Sequence, residues 1–159
     1  MNSAEYRRIS EKYINTVYKA ALSCCKNKAD AEDAVQNAFI KLLKTDTEFT
    51  DDEHIKKWLI RVAVNECKNV WKSFWHRNIV SFDELDKEPE YVENGQGELF
   101  SEIMKLPKKY STVIHLYYYE GYSVKEISEI LNISQSNVQI RLMRARNKLK
   151  EMLKEEAWL

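Results

Sequence analysis

The sequence predicts an all-α protein of two small helical domains, an N-terminal helix bundle and a C-terminal helix-turn-helix, joined by an acidic linker. Three observations predict it. The chain has 3 Gly and 2 Pro in 159 residues, so little interrupts a sequence rich in helix formers. Its apolar residues recur at helical spacing over most of its length. Its charge is balanced at 25 basic and 25 acidic residues but unevenly placed. Met1–Phe82 carries 14 Lys/Arg against 11 Asp/Glu, Asp83–Glu102 carries 1 against 8, and Ile103–Leu159 carries 10 against 6. Two mildly basic blocks therefore flank an acidic segment.

The first expected helix runs from Tyr6 to Cys25, with Ile9, Tyr13, Val17, Ala20, Ala21 and Cys24 on one face. Asp30 is the expected cap of a second helix, whose apolar positions are Ala34, Val35, Ala38, Phe39, Leu42 and Leu43. After the polar stretch Thr45–Glu53, a third helix spans about Ile55–Trp75. Its expected stripe is Ile55, Trp58, Leu59, Val62, Ala63, Val70 and Phe74. Three helices on short loops make a bundle with one core, domain 1–78. Residues 79–98, acidic and aperiodic with Pro89 and Asn94-Gly95-Gln96-Gly97, read as a linker.

Domain 99–159 begins with a short helix, Leu99–Leu106, which Pro107 stops while starting the next. That next helix continues through Val113, Ile114, Tyr117 and Tyr118, and Gly121 suits the position past its end. Ser123-Val124-Lys125-Glu126 is a capping box, opening a helix with Val124, Ile127, Ile130 and Leu131 as its apolar face. Asn132 suits a left-handed end, Ile133 plugs the turn, and Ser134 caps the last helix. In that helix Val138, Leu142, Ala145 and Leu149 form the buried stripe. Gln135, Ser136, Asn137, Gln139, Ile140, Arg141, Met143 and Arg144 then face outward.

Two helices joined by a tight turn, the second basic, make a helix-turn-helix, whose second helix fits the DNA major groove. There Gln and Asn pair with adenine, and Arg with guanine or phosphate. Gln135, Asn137, Gln139 and Ile140 are the candidates for base contact, with Ser136 on the same DNA-facing side; Arg141, Arg144, Arg146 and Lys148 suit phosphate. In the third helix Trp58, Trp71, Phe74 and Trp75 lie among Lys56, Lys57, Arg61, Lys68, Lys72 and Arg77. Aromatics interleaved with cations suit single strands, because bases stack on rings while cations follow the backbone. Trp58 and Phe74, which also belong to the apolar stripe, fit the core better than a stacking platform. Asn65 and Asn69, four apart, share one side of the helix.

No enzyme is expected. His54, His76 and His115 are isolated, phosphate-binding glycine motifs are absent, and Asp30, Glu32 and Asp33 suit a helix N-terminus. No cofactor, metal or small-molecule substrate is expected. Cys24, Cys25 and Cys67 lack metal-ligand spacing and read as packed thiols. With no signal peptide or long apolar run, the expectation is a cytoplasmic protein without membrane insertion.

With these pieces placed, the chain resembles a bacterial RNA polymerase sigma factor of the extracytoplasmic-function (ECF) group. Asp30–Lys41 (DAEDAVQNAFIK) looks like the family's polymerase-clamp helix. Trp58–Asn69 (WLIRVAVNECKN) looks like its minus-ten helix, and Gly121–Arg146 like its minus-thirty-five domain. The resemblance implies core RNA polymerase binding through Asp30, Asp33, Gln36, Asn37, Phe39 and Ile40. It implies capture of the melted non-template strand by Arg61, Asn65, Lys68, Asn69 and Lys72, with a flipped base held by the loop Thr45–Glu53. Duplex promoter DNA falls to the last domain, and an anti-sigma factor is an implied partner. Three positions depart from the family pattern: Asn37 stands where Glu is common, Gln139 where Lys or Arg is usual, and Ile140 where a small polar residue is. Gln139 is expected to prefer adenine and Ile140 a thymine methyl. The alternative is a stand-alone helix-turn-helix regulator, which would not bind the polymerase.

Overall fold

The computed structural model describes residues 1–78 and 98–156, with the side chains of 70–78, 98, 155 and 156 left aside. All regular structure among the described residues is helical. The expected linker lies almost wholly outside them.

The N-terminal unit consists of α1 (Ser3–Cys25), α2 (Lys28–Lys44) and α3 (Asp52–Asn78). The Asn2 side chain starts α1 by accepting the Glu5 N–H at 2.8 Å. Its expected stripe is buried, and its last turn adds Leu22, Ser23 and Cys25 because the C-terminal unit covers that end. At Lys26 the backbone turns left-handed, φ 63°. Asn27, rather than Asp30, caps α2, accepting the Asp30 N–H at 3.0 Å. Asp30 sits in the first turn instead. Leu43, expected in the apolar stripe, is exposed, one step around the helix from buried Leu42.

α3 starts earlier than expected, because Asp51 accepts the His54 N–H at 2.8 Å and adds a turn. Ile55, Leu59 and Ala63 are buried as expected, but so are Ile60, Val64 and Cys67. Packing against both α1 and α2 widens the buried face. Trp58 and Val62 are only half-buried. Val70 and Phe74 lie outside the described side chains.

The C-terminal unit comprises α4 (Glu98–Met104), α5 (Lys108–Ile114), a π-helical turn (His115–Tyr119), α6 (Val124–Leu131) and α7 (Gln135–Glu156). The helix expected to run through Tyr118 changes from α to π form at His115. Gly121 ends it at φ +70°. Both capping-box bonds form, Ser123 N–H to Glu126 and Glu126 N–H to Ser123, each 3.1 Å. Asn132 is left-handed at φ 55°. Ser134 caps α7 through the Asn137 N–H at 3.0 Å.

α1 packs on α5 and α3 on α6, so the units share a continuous core. Ser111 and Thr112 of α5 donate to the Ser23 carbonyl at 2.7 and 3.2 Å. Lys26, 1% exposed, donates to the carbonyls of Met104 and Leu106. The cysteines correct the expectation of packed thiols. Cys25 and Cys67 form a disulfide joining the end of α1 to the middle of α3, with Cα atoms 5.2 Å apart, while Cys24 remains a buried thiol. The bundle brings together positions 42 residues apart, and local cysteine spacing carries no sign of that.

Candidate nucleic-acid interface

The apolar stripe of α7 decides what its other face can do. Val138, Leu142 and Ala145 are buried against α5 and α6, and Leu149 is half-buried. Gln135, Ser136, Gln139, Ile140, Met143 and Arg144 stand exposed on the opposite side. Asn137 and Arg141, expected to face outward with them, are half-buried. The Arg141 Nε donates to the Asn137 side-chain oxygen at 3.1 Å. Burial also lowers the Arg141 pKa, because desolvation disfavours the charged form. Arg146 is exposed yet engaged: its Nε donates to the Tyr118 hydroxyl at 2.7 Å, and its guanidinium lies over the Tyr117 and Tyr118 rings. Lys148 lies 5.6 Å from the Tyr110 ring centre.

On α3, Arg61, Asn65 and Asn69 recur every fourth residue and form one exposed strip. Lys68 does not share their freedom. It is half-buried, and its ammonium donates to the Leu131 carbonyl of α6 at 2.6 Å. Burial lowers its pKa, and neighbouring Arg141 lowers it further. Lys72 lies outside the described side chains. Two more α3 lysines reach the C-terminal unit: Lys57 pairs with Glu129 at 3.1 Å, and Lys56 with Glu120 at 3.5 Å. The exposed Lys57–Glu129 pair contributes about 0–1 kcal/mol, whereas Lys56 and Glu120 are largely buried, their side chains 14% and 11% exposed.

The loop between α2 and α3 lines a recess of about 330 Å³ with Thr45, Thr47, Phe49, Thr50 and Asp51, closed on its other sides by Met1, Glu5 and Leu42. Its wall is fixed by rings, Phe49 standing edge-on to His54 at 5.0 Å and to Trp58 at 5.7 Å. Trp58 is thus a buttress of the loop rather than a free stacking platform. Its base is pinned by Asp52, whose carboxylate accepts from Arg8 at 2.7 Å and Lys12 at 2.9 Å. These cations hold the Asp52 carboxyl well below the usual carboxylate range.

On α2, Asp33, Gln36, Asn37 and Ile40 are exposed. Asp30 is partly buried, and that burial raises its pKa, with Asp33 adding to the effect. Phe39 is buried, as its place in the apolar stripe of α2 predicts, and stands edge-on to Tyr6 at 6.3 Å. Next to this face Ile14, Tyr18, Val35 and Gln36 line a groove of about 440 Å³ between α1 and α2. Sequence reasoning missed the residues that join the units, Ser23, Lys26, Lys56, Lys57 and Glu120. A lysine at a helix end carries no mark that separates a buried peg from a solvated cap.

This arrangement has known counterparts. Residues 9–77 match the family model of sigma-70 region 2, and residues 96–149 that of sigma-70, region 4. The ECF RNA polymerase sigma factor SigM of Bacillus subtilis is 30% identical over 151 residues, 91% of this chain and 92% of SigM. RNA polymerase sigma factor SigV of the same organism is 31% identical over 144 residues, 87% of this chain and 85% of SigV. The fold matches that of the sigma factor RpoE from Bartonella quintana, solved with the anti-sigma factor NepR. That match has a TM-score of 0.75 at 21% identity, over 94% of this chain and 97% of RpoE. The chain belongs to the sigma-70 family of bacterial RNA polymerase sigma factors, in its extracytoplasmic-function group.

Proposed function

We propose that the chain binds core RNA polymerase and directs promoter recognition, melting and initiation. It contributes no catalytic group of its own and works in the cytoplasm. The observation that carries this reading is the presence, in one chain, of two separate polar faces. One is the exposed face of α7 on a helix-turn-helix; the other is the Arg61–Asn65–Asn69 strip on α3, the helix that follows the recessed loop. Residues 1–78 take the polymerase and the minus-ten element. Residues 99–159 take the minus-thirty-five element, and 79–98 connect them.

Gln135, Ser136, Gln139 and Ile140 meet base edges in the major groove, and Arg144 meets phosphate. The α3 strip reads the melted non-template strand, and the recess accepts a flipped base, for a few kcal/mol of unstacking. Asp33, Gln36, Asn37 and Ile40 meet the polymerase, with Phe39 supporting them from beneath. An anti-sigma factor is a fitting partner, since RpoE was solved with NepR, and CnrH with the cytosolic domain of CnrY. The two promoter elements lie about 25 base pairs apart, roughly 85 Å of duplex. A compact chain of this length is only about 40 Å across. The two units must therefore separate to act.

The test is run-off transcription with purified core polymerase on genomic promoter templates. A start that depends on both promoter and added protein is expected. Duplex binding without any such start would instead indicate a stand-alone regulator.

A further inference from the structure

Each bonded cysteine is followed directly by the lysine that holds the other unit. Cys25 precedes Lys26, which donates to the Met104 and Leu106 carbonyls. Cys67 precedes Lys68, which donates to the Leu131 carbonyl. The disulfide therefore ties together the two backbone points from which both pegs project. We propose that Cys25–Cys67 is a redox modification site whose oxidation locks the two units together and whose reduction releases them. This rests on the sigma-factor reading only for its consequence, which is that the oxidised form is held back from promoters.

The physical argument starts from packing. The Cys25–Cys67 bond fixes α1 to α3 at one point, and breaking it leaves the two helices free to shift there. Cys25 is 1% exposed and Cys67 0%, and a close-packed interior passes such a displacement to its neighbours rather than absorbing it. The nearest backbone to move carries Lys26 and Lys68. Their bonds all end on carbonyls, and hydrogen bonds weaken steeply when misaligned.

The chemistry balances as thiol–disulfide exchange. The two thiols give up two protons and two electrons to a low-molecular-weight disulfide, which leaves as two thiols; a dithiol reverses the step. In a reducing cytosol a protein disulfide is characteristically transient and redox-sensing. Because both sulfurs are buried, exchange follows local opening and is slow, on the order of minutes to hours.

The full-length chain is treated with dithiothreitol or oxidised glutathione, and its thiols are titrated in denaturant. Its radius of gyration is measured by small-angle scattering, and run-off transcription with core polymerase is assayed in both states. Expected are one free thiol, Cys24, and a compact molecule after oxidation. After reduction, three free thiols, a larger radius and roughly tenfold more transcription are expected, within the usual range of coupling between sites. Cys25→Ala and Cys67→Ala should abolish the response, and Cys24→Ala should keep it. The wild-type comparison needs no variant to fold. Equal radii in the two states, three titratable thiols after oxidant, or a response that survives in the Cys25→Ala/Cys67→Ala pair would overturn the proposal. A radius that responds while neither state starts transcription would support the redox lock and overturn the sigma-factor reading.

Discussion

His115 has both ring nitrogens buried without a hydrogen-bond partner, its ring stacked on Tyr119 at 5.2 Å and edge-on to Phe100 at 5.8 Å. Burial, aided by the charge of Lys19, pushes its pKa down to about 4. The unfolded chain protonates the same ring near the ordinary value of about 6.5. Stability from this site is thus complete above roughly pH 6.5 and drains away as pH falls toward the folded value. Urea denaturation should show about 2 kcal/mol lost between pH 7.5 and pH 5, relative to a His115→Leu variant. Glu120, 3.9 Å away, has its own carboxyl raised by burial and titrates in the opposite sense. Subtracting the variant's profile removes that contribution. From sequence, His115 reads as an ordinary structural histidine. Its lack of partners does not show there, because the rings around it come from two other positions along the chain.

α7 was legible at the scale of a single element, and the π-helical turn that packs near it was not. The buried steps Val138, Leu142 and Ala145 fix which side of α7 meets solvent, so the exposure of Gln135, Gln139 and Arg144 follows from period alone. Arg146 has the same sequence character as Arg144, yet the π-helical turn brings Tyr117 and Tyr118 beneath it. Nothing in HLYYY announces a change of helical form. The two arginines should therefore separate on mutation. Arg144→Ala is expected to weaken binding to every duplex and to reduce the salt slope by about one. Arg146→Ala should leave that slope nearly unchanged and cost about 1 kcal/mol of stability. Salt-dependent binding titrations and urea melts together check both.

Across the whole molecule, helix order and most of the core could be read from apolar spacing, while the placement of one unit on the other could not. The reason is chemical. Ser23, Met104, Leu106 and Leu131 receive the joining hydrogen bonds on backbone oxygens, which every residue carries alike. Only the donors differ by residue type, and Lys26 and Lys68 look like any lysine. Lys26→Ala should favour separation of the units by roughly 2–3 kcal/mol, the scale of losing a charged donor. Small-angle scattering should then report a larger radius while the helical content stays unchanged.

Lys26 also sets a local interest against a global one. A left-handed residue closing a helix is the natural place for glycine, since any side chain there costs about 1–2 kcal/mol. Glycine at 26 would improve α1 as a separate object and remove the peg that seats the second unit. The best end for this helix and the best residue for this molecule are different amino acids. The chain carries the one that serves the assembly.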